Sequence, residues 1–277
     1  MSIAAPAAPT SALATNSVYF YGVVRGDHAG VLAGVTPIDG EGDVYGIAYR
    51  DLTVMVSDAR KPRYEVSRKN VLGHEAVVTA LMAAYTLLPA RFGRLRHLDE
   101  IVDELLVRFY EPLHAQLDYV QDRVELGLIV RWSNVQSMVA EIVATDPWLH
   151  AAGRQMAASR SSQNLRLEVG KRMEQALVDK RMFEGAQIVA ALTPLVARDG
   201  VHINDYGDEV EVLNALFLVS RDQVDAFTAA VLAYDRGCGS RYLMAVGAPT
   251  APYGFVPLLE ASTSGDDHVL GRARVRR

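Results

Sequence analysis

The chain has 277 residues, half of them hydrophobic, with 28 Lys and Arg against 33 Asp and Glu, a net charge of −5, and one cysteine. That length and apolar content suit one large domain or two ordinary ones with full cores, and exclude a globally disordered chain. The single Cys238 excludes an intrachain disulfide and a cysteine-built zinc site, and the acidic balance argues against a broad nucleic-acid-binding face.

Residues 1–16 are rich in Ala, Pro, Ser and Thr and carry no basic residue. Pro6 and Pro9 interrupt them, so they read as a flexible arm rather than a secretory signal. Ser17–Val24 is aromatic and β-branched and stops at Gly26-Asp27, the pattern of a strand. Val44–Tyr49 and Leu52–Ser57 are two more strands, joined at Arg50-Asp51 as a tight hairpin, and the three predict one antiparallel sheet. Ser67 is a natural N-cap, after which Val71, His74, Val78, Leu81 and Tyr85 recur at helical spacing on one face. A second helix is expected from Leu98, with Asp99 and Glu100 in its dipole-favoured first turn and Pro112 kinking or restarting it.

The pattern changes near Asp122. "DRVELGLIVRW" reads as a strand, followed by helices over Val135–Ala144, from the Asp146-Pro147 cap, and from Gln163 to Val196 with a break at Gly185. "GVHINDYG" and "EVEVLNALFLVS" read as strands joined at Gly207-Asp208, "RDQVDAFTAAVLAYD" as an amphipathic helix, and "SRYLMAVG" as the last strand. The order is β-α-β-β-α-β with extra helix in the first crossover, the ferredoxin-like signature. The fold class is therefore α+β in two domains. A flexible arm (1–16) leads into an antiparallel sheet with helices (17–120), a modified ferredoxin-like domain (121–260) and a flexible tail (261–277) ending in Arg272, Arg274, Arg276 and Arg277. No apolar run reaches the ~18 residues of a membrane-spanning helix.

The search for chemistry is negative. His74-Glu75 begins a zinc-protease motif, but its fifth position is Val78, so the second ligand is missing. His74 reads instead as a buried histidine making one hydrogen bond. There is no nucleophile elbow, no Walker or dinucleotide glycine pattern, and no aromatic-basic strand of an RNA-binding domain. Cys238 reads as a free thiol in a turn, and the acidic group Asp99, Glu100, Asp103 and Glu104 as a solvated helix start. "LLPARFGRLR" (Leu87–Arg96) reads as a structural corner between two helices. In it Pro89 stiffens the chain, Phe92 anchors the exit, and Gly93 supplies a positive φ. Arg91 is expected to pin the corner by a partly buried pairing with Glu75 or, better placed, Glu125.

Three stretches taken together, "VYFYGVV", "VSRKNVLGHEAVVTALMAAYTLLPARFG" and "DRVELGLIVRW", resemble the gas vesicle protein F/L family (GvpF/GvpL). So do the later "LNALFLVSRDQVDAFTAAV" and "VGAPTAPYGFV", the last with Ala248 and Thr250-Ala251 in a looser, less proline-rich stretch. Carried over position by position, the family motif falls on Tyr21, Gly22, His74, Glu75, Pro89, Arg91, Phe92, Gly93, Glu125, Asn214, Phe217, Pro252, Tyr253 and Phe255. The resemblance implies an accessory or minor structural protein of gas vesicles, the hollow buoyancy organelles, located at the vesicle within the cytoplasm. It implies contact with the small hydrophobic shell protein (GvpA-type) and with other accessory proteins, and no enzyme activity, cofactor, metal, nucleic acid or membrane. Two other functions suit such a sheet: a cofactor-independent, oxygenase-like small-molecule enzyme, or a ligand-binding regulatory module. A closed apolar pocket with convergent polar groups would mark the first.

Overall fold

The aromatic and β-branched run after residue 16 becomes the central strand of a sheet, β1 (Ser17–Arg25), with β2 (Gly30–Val31), β3 (Val44–Tyr49) and β4 (Leu52–Asp58) stacked on one side in the order β2-β3-β4-β1. These elements belong to a computed structural model that describes residues 17–158 and 162–261. The expected arm, and the expected tail beyond Ala261, lie outside the described residues. All pairings are antiparallel, and Arg50 takes a positive φ of 56° to close the β3–β4 hairpin.

The phase of β1 is reset by a bulge. Phe20 pairs with Val56 but Gly22 with Met55, so Tyr21 is an extra residue and the alternation slips by one. Val18, Phe20 and Val23 therefore face one core and Tyr19, Tyr21 and Val24 the other. Helix α1 (Arg68–Ala84), capped by the Ser67 hydroxyl accepting the Asn70 N–H, buries His74, Val77, Val78 and Leu81 on the tyrosine side. The opposite side is covered by a helical segment that starts as α2 (Leu98–Glu100), widens into a π-helical turn over Ile101–Val107, and restarts as α3 (Tyr110–Val120). Pro112 stands in the first turn of α3, where a missing N–H breaks no helical bond.

"LLPARFGRLR" departs from the expected corner. It contains β5 (Leu87–Pro89) and β6 (Leu95–His97), both antiparallel to β1, so the segment is one interrupted strand along the β1 edge. The Ala90 N–H donates to the Tyr21 carbonyl and the Phe20 N–H to the Arg94 carbonyl, leaving only Arg91, Phe92 and Gly93 off the ladder. An edge strand is where a sheet tolerates proline, which explains Pro89 without a turn.

Beyond Asp122, whose φ is 55°, a second sheet begins with β7 (Arg123–Trp132). Helices α4 (Val135–Thr145), α5 (Pro147–Ala158) and α6 (Gln163–Leu192) follow, then β8 (Val201–Ile203), β9 (Glu211–Ser220), α7 (Val224–Gly237) and β10 (Tyr242–Val246). The sheet order is β10-β7-β9-β8, antiparallel throughout, which is ferredoxin-like connectivity with two added helices. Leu126, Leu128, Val130 and Trp132 of β7 and Leu213, Ala215, Phe217 and Val219 of β9 share one face, with Ile142, Ile188, Leu192, Phe227 and Val231 of the helices in the same core. Helix α6 runs unbroken through Gly185, contrary to expectation. A Cβ there would lie 3.0 Å from the Val212 carbonyl oxygen, so the glycine serves close packing rather than a break.

The division of the chain also differs from expectation. One unit comprises residues up to Asp122 together with those from Thr250 onward, and the other is Arg123–Pro249. The closing segment, with α8 (Pro257–Ala261) at its end, belongs to the first unit and not to the ferredoxin-like domain assigned to 121–260. Ala251 packs into the tyrosine-side core, and Val256 and Leu259 into the opposite one.

Candidate functional site

The first unit gathers its polar side chains around His74, which is fully buried on α1. Tyr19 Oη lies 3.0 Å from its Nδ1 and Tyr253 Oη 3.3 Å from its Nε2, so the ring is engaged at both nitrogens rather than once. Tyr253 also donates to Glu75 Oε1 at 3.1 Å, and the Gly93 N–H donates to Tyr19 Oη at 2.8 Å.

These contacts accommodate the following proton arrangement, with the Ala90 carbonyl as a further acceptor beside the ring. A carboxylate only accepts, so the Tyr253 proton goes to Glu75, and the Tyr253 oxygen is free to accept from Nε2–H. Nδ1 is then the acceptor for the Tyr19 proton, while the Tyr19 oxygen takes the Gly93 N–H. The chain Gly93 to Tyr19 to His74 to Tyr253 to Glu75 satisfies every member with a neutral imidazole. Burial pushes the His74 pKa down to about 4, against a smaller opposing effect of a backbone hydrogen bond at Ala90. Burial likewise raises the Tyr19 and Tyr21 phenols above their ordinary value.

Around this chain the rings of Tyr21 and Phe92 each sit 5.9 Å from the imidazole, stacked and edge-on respectively. Tyr21 Oη bonds Ser57 Oγ at 3.0 Å and accepts the Ile38 N–H at 3.0 Å, tying β1 to β4 and to the loop before β3. Gly22 pairs with Pro89, and Gly93 has the expected positive φ, 82°. The fold thus brings together Tyr21, Gly22, His74, Glu75, Pro89, Phe92, Gly93 and Tyr253. Pro252 and Phe255 are buried in the same closing segment. Arg91 stands exposed on the link between β5 and β6.

The remaining motif positions lie in the second unit. Phe217 is core, its ring 5.1 Å from that of Phe227, and Asn214 bonds Asn204 across the β8–β9 end at 3.0 Å. Glu125 is a buried carboxylate on β7.

Sequence reasoning missed a second buried carboxylate, Glu184 on α6. Trp132 Nε1 donates to it at 2.7 Å, Tyr242 Oη at 3.0 Å, and Lys180 Nζ lies 3.1 Å away; Arg241 bridges Glu184 and Glu141. Those donors hold the Glu184 carboxyl below its ordinary range although burial alone would raise it. No spacing signals this, since Trp132 and Tyr242 stand 52 and 58 residues from Glu184. Beside it opens a polar cleft of about 380 Å³ lined by Ser133, Asn134, Ser137, Glu141, Cys238 and Arg241 among others. Its guanidinium is already engaged by two carboxylates, and its lining is not the closed apolar pocket expected of a small-molecule enzyme. Among the described residues there is no group of three His, Cys, Asp or Glu placed to hold a metal, and no helix long and apolar enough to cross a membrane.

Comparison with known proteins agrees with the resemblance read in the sequence. A protein F from a Nostoc species is 26% identical over 218 residues, covering 78% of this chain and 88% of its own; one from a Streptomyces species is 25% identical over 247 residues, covering 87% and 99%. Both are named gas vesicle protein F. The crystal structure of GvpF from Anabaena superposes with a TM-score of 0.76 at 24% identity over 87% of this chain and 98% of that one. That from Microcystis aeruginosa gives 0.71 at 23%, over 87% and 99%, and both likenesses bear on the fold. The family model described as gas vesicle synthesis protein GvpL/GvpF matches residues 17–257, and the chain belongs to that family.

Proposed function

We propose that this gas-vesicle-associated protein is an accessory or minor structural component that acts in vesicle assembly by binding the small hydrophobic shell protein. The observation that carries the reading is the family match along residues 17–257. Its place of action is the vesicle within the cytoplasm, with other accessory proteins as further partners, and it performs no catalysis. The imidazole, phenols and carboxylates that a sequence search would nominate for chemistry are spent on one another in closed networks. In this reading the motif residues around His74 hold the first unit together, and Arg91, exposed on the link between β5 and β6, is assigned to contact with the shell protein.

Co-expression with the shell protein tests this. Tagged protein is expected to retain shell protein on an affinity column and to raise its soluble fraction and the yield of purified vesicles. Unchanged solubility and yield, with no shell protein retained, would overturn the reading.

A further inference from the structure

The closing segment rests on the first unit through apolar anchors at Ala251, Val256 and Leu259 and through the hydroxyl of Tyr253 between His74 and Glu75. Tyr253 is only half-buried whereas His74 is fully buried, so lifting the tyrosine uncovers Nε2. We propose that Tyr253 and His74 form an acid-released latch: a neutral imidazole holds the closing segment against α1, and a proton on the ring frees that segment while the second unit stays folded.

With the ring neutral, the hydrogen-bond chain runs from the Gly93 N–H to Glu75, and the Ala90 carbonyl is a further acceptor beside the ring. A proton added at Nδ1 makes both ring nitrogens donors. The Tyr19 oxygen already accepts the Gly93 N–H, and its own proton now points at a donor. The new charge lies among uncharged rings: Tyr19 and Tyr21 from β1, Phe92 from the β5–β6 link, and Tyr253 from the closing segment. The Tyr64 ring packs 4.8 Å from Tyr19, with Asp39 hydrogen-bonded behind it, and Glu75 is the carboxylate on the same helix. The tyrosines stay protonated below neutral pH, so the groups able to change charge there are His74 and the carboxylates of Glu75 and Asp39.

The sign follows from linkage. Closed, burial keeps the imidazole neutral down to about pH 4. Open and hydrated, it titrates near its ordinary ~6.5. The open form therefore binds a proton that the closed form refuses, and the open-to-closed ratio rises about tenfold per pH unit between those values.

Amide hydrogen exchange of the intact chain tests this, with rates corrected for intrinsic pH dependence. The Tyr253 and Phe255 amides, bonded to the Ala251 and Pro252 carbonyls, report the latch, and the β7–β9 amides report the second unit. Between about pH 6.5 and 4.5, protection of the first pair is expected to fall about tenfold per unit while the second set holds. His74→Gln should flatten that slope, and Tyr253→Phe, which keeps the ring, should raise opening already at neutral pH. A flat wild-type profile, loss of protection in both units together, or a slope kept in His74→Gln but lost in Glu75→Gln would each overturn the proposal.

Discussion

Gly22 and Leu88 approach so closely that a Cβ on the glycine would stand 2.4 Å from the Leu88 carbonyl oxygen. The contact arises at the bulge where β1 shifts phase, and the glycine's φ of 155° is one that side chains rarely adopt. Gly22→Ala must displace β5 or abandon the bulge, and either forces Tyr19 and Tyr21 off their partners. A loss of about 1–3 kcal/mol is expected in urea unfolding. Wild-type stability in that variant would mean the bulge is adjustable.

Tyr19 links the half-buried Gly93 N–H to the buried His74 Nδ1. Tyr19→Phe keeps the ring stacking and orphans both. A cost of about 1–3 kcal/mol is expected, read as a lower melting temperature with unchanged far-ultraviolet circular dichroism. No change would indicate that water replaces the hydroxyl.

Glu184 predicts a pH dependence confined to the second unit. Its folded pKa is lowered by Arg241, Trp132, Lys180 and Tyr242, so its contribution is present above the ordinary carboxylate pKa and is lost as pH falls through the lowered value. Emission from Trp132, which donates to this carboxylate, should report a unit that loosens below about pH 4.3. Glu184→Gln should remove most of that dependence, and Glu184→Ala should cost about 3–5 kcal/mol by stranding its buried partners. An unaltered acid transition in Glu184→Gln would assign the effect elsewhere.

Arg91→Ala separates folding from contact. The side chain is exposed, so the change is expected to alter stability by no more than about 1 kcal/mol. Retained melting temperature with weakened shell-protein capture would make the link between β5 and β6 a contact surface. A collapse in soluble yield would restore its reading as a pin.

The long elements were legible because each repeats a local rule. Alternating and β-branched runs marked β1, β3, β4, β7 and β9, and the i, i+3, i+4 spacing from Val71 to Tyr85 marked α1. What failed depended on partners distant in sequence. Pro89 and Gly93 carry turn chemistry, yet each end of their segment is three residues paired to β1, an arrangement only the tertiary fold dictates. Only motif residues of the first unit meet around His74, and what links them, a proton chain through Tyr19, was invisible without coordinates because Tyr19 is outside that list. Glu184 stands in a long helix, and its Trp132 and Tyr242 partners come from β7 and β10. The closing segment was misassigned because it follows β10 directly, and nothing local says which core receives Val256 and Leu259.

The return of the chain to its first unit after Pro249 has a consequence for biosynthesis. A growing polypeptide leaves the ribosome from its amino end, and domains ordinarily fold in that order. Here every strand and helix of the second unit precedes the residues that complete the first. The nascent chain reaches Pro249 with one unit able to close and the other still lacking Ala251, Val256 and Leu259 from its two cores. Maturation thus runs from the middle outward, and the amino-terminal half stays unfinished until the last dozen described residues have been made.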